Sequence, residues 1–185
     1  IRLAQEYDKI LVPYDAPAFT PNLYQEIQMA EAAFNIAEKF GFTQMDQDMF
    51  AINSHVNALN SKKYLIDEIV NIGLESTLFD PYARNLNLKL CERAPKLFGS
   101  ITYANTAISA DAASFVVICR NIIKGRKALK LISGATVGAN PKLPGLAPIT
   151  AIEEVFRASG LRQKNINQVE LMEAYASQAM ACLSE

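Results

Sequence analysis

The chain has 185 residues, half of them hydrophobic and a fifth charged, with 18 basic against 19 acidic side chains and a formal net charge of −1. That balance excludes a disordered chain, which would bury less and repel more, and the 8 Gly and 8 Pro exclude a collagen-like or linker sequence. Neither a basic excess suited to nucleic acid nor an apolar run of about 18 residues is present, so no nucleic-acid partner and no membrane span are expected.

Cys91, Cys119 and Cys182 are an odd number, far apart, without a CxxC pair. A disulfide framework or zinc site is therefore not expected, and a reducing compartment is. Ile1-Arg2-Leu3 lacks an initiator Met and a signal-peptide pattern, and the sequence stops at Ser184-Glu185. Both ends are expected to be cut, making the chain a fragment.

Residues 1–22 read as irregular, because Pro13, Pro17 and Pro21 recur every four residues. A first helix follows, with Ile27, Ala30, Phe34, Ala37 and Phe40 on one face and Gly41 as its left-handed cap. Thr43 and Asp46 start a second helix, whose stripe of Met45, Met49, Ile52, Val56 and Leu59 is expected to face the core. His55, the sole histidine, reads as a helix-edge side chain with a hydrogen bond rather than a metal ligand. Lys62 to Val70 reads as a helix end running into a short strand, Glu68-Ile69-Val70, and Pro81 to Asn87 as loop.

After residue 100 the texture changes. Ser114 to Cys119 is an apolar run rich in β-branched residues, expected to be a buried strand, and Leu129 to Val137 reads as another strand. After the first run Arg120, Lys124, Arg126, Lys127 and Lys130 read as a solvated helix face, with a phosphate patch as the alternative. Thr150 and Glu153 form a capping box for a helix closed by Gly160. Gln168 to Met172 is a strand candidate and Glu173 to Leu183 a small-residue helix. Strand, helix, strand, helix in this order predicts a βαβ unit. No catalytic triad emerges from the one His, and Gly134 to Gly138 lacks the remainder of a phosphate loop.

Four segments resemble the thiolase family, which includes acetyl-CoA acetyltransferases and 3-ketoacyl-CoA thiolases. Met29 to Gly41 and Gln47-Asp48-Met49-Phe50-Ala51-Ile52-Asn53-Ser54-His55 are similar to its M-G-x-T-A-E-N-V-A and Q-D-x-F-A-x-x-S-H stretches. Asp80 to Arg84 is similar to D-E-x-x-R. Ser100 to Ala113 is similar to G-T-V-T-A-G-N-A-S-x-x-x-D-G-A. Thr136 to Ile152 is similar to V-G-V-D-P…G-x-G-P-x-P-A-I, and Val169 to Gln178 continues it as V-E-x-N-E-A-F-A-x-Q.

The resemblance implies an α/β fold: a mostly helical thiolase-type loop domain followed by an incomplete αβαβα thiolase half. Residues 1–100 would be the CoA-binding loop domain, 101–127 the closing strand and connector of the first half, and 128–185 the start of the C-terminal half. It implies part of an acyl-CoA C-acyltransferase of fatty acid metabolism. Such an enzyme performs thiolytic cleavage of a 3-ketoacyl-CoA or the reverse Claisen condensation, with coenzyme A and acyl-CoA as substrates and no covalently bound cofactor or metal. A homodimer or homotetramer in the cytoplasm is implied, with mitochondrion or peroxisome as eukaryotic alternatives.

By position the resemblance assigns Gln28, Met29, Arg84, Phe98 and Ala107 to CoA binding. No catalytic residue is assigned. The family's nucleophilic Cys, its G-H-P histidine and its second Cys have no match here, so the segment alone is expected to be inactive. Met172 occupies the family's oxyanion Asn position, and Ala107 replaces a Ser that would reach pantetheine. A non-catalytic CoA-binding or assembly module is therefore the alternative, and an unrelated helical plus α/β interaction protein the third reading.

Overall fold

The computed structural model describes residues 27–66, 68–70, 79–110, 112–121, 124–125 and 127–185. The irregular reading of residues 1–22 and the side chain of Arg126 lie outside them. The elements in chain order are α1 (Met29–Phe40), α2 (Gln44–Leu65), α3 (Leu88–Arg93), β1 (Lys96–Phe98), β2 (Ile101–Thr102), α4 (Ala147–Ser159) and α5 (Ala176–Ser184). Two 3-10 turns, Pro144–Leu146 and Gln163–Asn165, flank α4.

Both early caps form as read. Gly41 sits at φ 71°, and the Gly41 and Phe42 N–H groups donate to the carbonyls of Glu38 and Ala37. That pair of bonds is a Schellman closure of α1. The Asp46 N–H donates to Thr43 Oγ1 at 3.2 Å while the Thr43 N–H donates to Asp46 Oδ2 at 2.8 Å, a reciprocal capping box.

The buried faces differ from the expectation. In α1 the buried residues are Ala32, Ala33, Ile36 and Ala37, and Phe34 and Phe40 are half-buried. The helix packs on α5, whose Ala176, Ala179 and Ala181 are also buried. Alanine against alanine lets the two backbones approach, and Ser177 Oγ donates to the Ala33 carbonyl at 2.9 Å across the joint.

In α2 the Met45, Met49 and Val56 side chains are exposed, while Gln47 and Asp48 are fully or nearly buried. The Met stripe is therefore not core. The inner face is polar because the β1–β2 hairpin meets it with polar groups. Ile52 and Ala51 pack against the buried cluster of Leu86, Cys91 and Ala104, and Leu59 of the expected stripe is half-buried. The helix also runs on to Leu65, and Glu68 and Ile69 form a turn rather than a strand, their N–H groups donating to the Leu65 carbonyl.

β1 and β2 pair antiparallel, with Phe98 opposite Ile101. Gly99 turns the hairpin at φ 53°, and a Cβ there would lie 2.3 Å from Phe34 Cδ2, so glycine is required. Phe34 and Phe98 pack with ring centroids 5.5 Å apart.

Among the described residues the expected parallel sheet does not form. Residues 114–119, 129–137 and 168–172 lie outside any helix or ladder, and Phe115 is 94% exposed. A β-branched apolar run specifies a strand only where another strand lies beside it. Arg120, Lys124, Lys127 and Lys130 are solvated as expected but lie outside any helix. The Thr150 capping box is absent too. α4 starts one turn earlier, at Ala147, with Pro148 in its first turn where a missing N–H costs nothing. Gly160 ends it at φ 70°. α5 begins at Ala176 rather than Glu173, because Tyr175 forms an antiparallel bridge with Thr106.

Candidate functional site

One face of α2 presents Phe50, Ala51, Ser54, His55 and Ala58, the i and i+4 positions of two and a half turns. These residues floor a cleft of about 640 Å³. Its walls are Asp80–Arg84 on one side and Ala104–Ile108 with Ala110 and Ala112 on the other, and Glu173 and Ala176 close the end. All four segments that carry the family resemblance thus contribute to one cavity.

Hydrogen bonds explain the convergence. The Asn105 amide donates to Asp48 Oδ1 at 2.9 Å and to the Ser100 carbonyl at 3.1 Å, and its Oδ1 accepts the Thr102 N–H at 2.8 Å. Gln47 Nε2 donates to Ser100 Oγ at 3.0 Å. Asn105, Asp48, Gln47 and Thr102 are all buried, so this polar network fixes the hairpin on α2. The backbone of residues 105–107 is bonded to the segment before α5: Ala107 N–H to the Ala174 carbonyl, Ala176 N–H to the Asn105 carbonyl. Ser54 Oγ donates to Glu173 Oε2 at 2.6 Å. On the opposite wall the Tyr82 N–H donates to Asp80 Oδ1 at 2.8 Å, and the Arg84 N–H donates to His55 Nδ1 at 3.4 Å.

His55 is therefore the hydrogen-bonded helix-edge residue expected, and it also floors the cleft. Burial lowers its pKa, the Arg84 charge lowers it further, and Asp80 and Glu173 pull in the other direction. The ring is held neutral. Among the described residues no thiol lines the cleft. Burial, with help from Asp48, raises the Cys91 pKa; burial raises that of Cys182; Cys119 is exposed. A thiol with a raised pKa is a poor nucleophile at neutral pH. Among the described residues no group of three metal-ligating side chains occurs, and no helix is long and apolar enough to cross a membrane.

Of the residues assigned from sequence, Arg84 and Ala107 line the cleft. Gln28 and Met29 are exposed at the start of α1, and Phe98 lies on the hairpin against Phe34. These three stand outside the cleft lining. Met172 is exposed and lines a second hollow of about 540 Å³ with Val169, Leu183 and the far side of Ala107 and Glu173. Ser54, Asn105 and Glu173 went unassigned from sequence, although each lay inside a quoted motif. Among the described residues the cleft has a lining rich in alanine, with Arg84 on one wall and Ser54 and His55 on its floor.

Residues 126–185 match the family described as thiolase, C-terminal domain. The chain is 30% identical over 177 residues to a beta-ketoadipyl-CoA thiolase of Acinetobacter baylyi, covering 86% of this chain and 44% of that protein. It is 30% identical over 172 residues to a peroxisomal 3-ketoacyl-CoA thiolase of Encephalitozoon cuniculi, covering 85% of this chain and 43% of that one. Its fold is similar to that of the acetyl-CoA acetyltransferase of Bacillus anthracis, with a TM-score of 0.71 at 22% identity over 86% of this chain and 45% of the other. The enzyme of the same name from Syntrophomonas wolfei gives 0.68 at 24% identity, covering 85% and 43%. The chain spans less than half the length of these relatives. The resemblance to the thiolases, and the thiolase-type fold it implies, are thereby borne out over most of the chain.

Proposed function

We propose that this thiolase-related chain is the CoA-facing part of a thiolase-type acyl-CoA C-acyltransferase, acting in thiolytic cleavage of a 3-ketoacyl-CoA or in the reverse condensation. The observation that carries the reading is the convergence of the four family-like segments on one cleft with Arg84 in its wall. A guanidinium there suits an anionic, phosphate-bearing ligand, because its planar fork both pairs and stacks. The groove beside it is lined by several alanines, an apolar surface suited to a pantetheine-like arm. The curated relatives bear the names of CoA-thioester thiolases, which supports the same substrate class.

The acyl-carrying Cys and the catalytic His belong, in this reading, to sequence outside these residues. The reading keeps residues 1–100 as the CoA-binding loop domain, 101–127 as connector and 128–185 as the start of the second half. It also keeps Gln28, Met29 and Phe98 as contacts of an extended CoA, a role in fatty acid metabolism and a homo-oligomeric enzyme. A second reading, a non-catalytic CoA-binding module, is favoured by one observation: Met172, exposed beside the second hollow, offers no N–H to an oxyanion.

Titration calorimetry with CoA on the polypeptide that carries this sequence tests the site. The expected result is binding that Arg84→Ala weakens about tenfold or more, the value of one charge-assisted contact. Equal affinity in the two proteins refutes the Arg84 assignment.

A further inference from the structure

Ser54 and His55 are neighbours on the cleft floor, and each holds a different wall. Successive helical side chains point about 100° apart, so adjacent residues can reach opposite sides of a groove. Ser54 Oγ grips Glu173, and His55 Nδ1 accepts the backbone N–H of Arg84. The second bond joins α2 to the loop that carries Arg84, the one arginine among the described residues that line the cleft.

We infer that His55 is a positioning residue: its neutral ring holds the Asp80–Arg84 wall, and with it the Arg84 guanidinium, in place for a CoA-type ligand, and protonation of the ring releases that wall. The functional consequence rests on the CoA reading above; the hydrogen bond itself does not.

The chemistry of imidazole supplies the switch. A ring nitrogen accepts only while it carries no proton, so the contact requires the tautomer protonated on Nε2. A second proton converts Nδ1 into a donor facing another donor, the Arg84 N–H. The charged groups facing His55 are Asp80 and Arg84 from the loop wall and Glu173 from the segment before α5. Burial and Arg84 oppose the proton more than the two carboxylates favour it. The ring therefore stays neutral at physiological pH and titrates below the ordinary value of about 6.5. The sign follows: ligand selects the neutral form, so affinity is full at neutral pH and falls as pH drops through the lowered His55 pKa.

The test is CoA calorimetry on the polypeptide that carries this sequence, from about pH 7.5 to about 5, the range in which a histidine titrates. The proteins are wild type, His55→Asn and His55→Leu. Asn places an oxygen acceptor near the Nδ1 position at every pH, and Leu offers none. The ratio of wild type to His55→Asn cancels the titration of the phosphates of CoA. Wild type should lose about fivefold in affinity relative to His55→Asn on acidification, one ordinary hydrogen bond, and His55→Leu should be weakened at every pH. A pH-independent ratio overturns the inference. So does affinity that grows on acidification, which would make His55 a phosphate-binding cation. Nitrogen NMR of the ring without ligand separates the two proposals. Absence of CoA binding throughout refutes the CoA reading, and a proton on Nδ1 at neutral pH overturns the His55 contact.

Discussion

Replacing Asn105 by Ala should remove most of the stability that holds the hairpin on α2. The side chain is 2% exposed and makes three hydrogen bonds, to Asp48, to the Ser100 carbonyl and from the Thr102 N–H. Alanine fills none of these roles. The Thr102 N–H and Asp48 Oδ1 are left buried without partners, each at about 1–3 kcal/mol. Gln44 still reaches Asp48 Oδ2 at 3.4 Å, so the carboxyl group is not wholly orphaned. The sum is about 2–6 kcal/mol, a large share of the about 5–15 kcal/mol that stabilises a typical domain. Urea unfolding should show the midpoint lowered by about 1.3–4 M for a slope of about 1.5 kcal/mol per M. A double-mutant cycle with Asp48→Ala should give a coupling above about 1 kcal/mol. Asn105→Asp keeps the acceptor for Thr102 but sets a second carboxyl group against Asp48. It should be destabilised at neutral pH and recover part of the loss on acidification, as one of the pair takes up a proton. A loss below about 1 kcal/mol for Asn105→Ala, or strict additivity with Asp48→Ala, refutes the network as the joint.

Gly99→Ala should destabilise by about 2–4 kcal/mol, combining a left-handed backbone for a residue with a Cβ and displacement of the Phe34 ring; a melting temperature within a degree of wild type would contradict this. Alkylation followed by mass spectrometry should modify Cys119 first and Cys91 last, because Cys119 is exposed while Cys91 is buried with a raised pKa. Rapid modification of Cys91 in the folded protein would be inconsistent with that environment.

What could be read from the sequence was set by how far apart the determining residues lie. Gly41 and the Thr43–Asp46 box were legible because each cap is decided within four residues. The buried faces of α1 and α2 were not, because their partners, α5 and the hairpin, come from distant sequence. Periodicity gives a stripe, and Met45 and Met49 form a good one, but it does not say that Gln47 and Asp48 will find Ser100 and Asn105. Residues 114–119 read as a strand from β-branched side chains alone, and pairing, which decides the matter, is not a property of the segment. The Thr150–Glu153 capping pattern placed the start of α4 one turn late, because the helix begins at Ala147 with Pro148 in its first turn. For the site, the motifs located Arg84 and Ala107 through likeness, but the Ser54–Glu173 contact spans 119 positions and has no local signature.

The proposed function places these residues in a thiolase-type acyl transfer whose nucleophile other sequence supplies. The most direct test is thiolysis of acetoacetyl-CoA by the polypeptide that carries this sequence, run beside the 185-residue chain alone. The account predicts turnover by the former and none by the latter. Turnover by the 185-residue chain alone would contradict the external nucleophile. CoA binding without turnover by the polypeptide would replace the enzyme by the non-catalytic module.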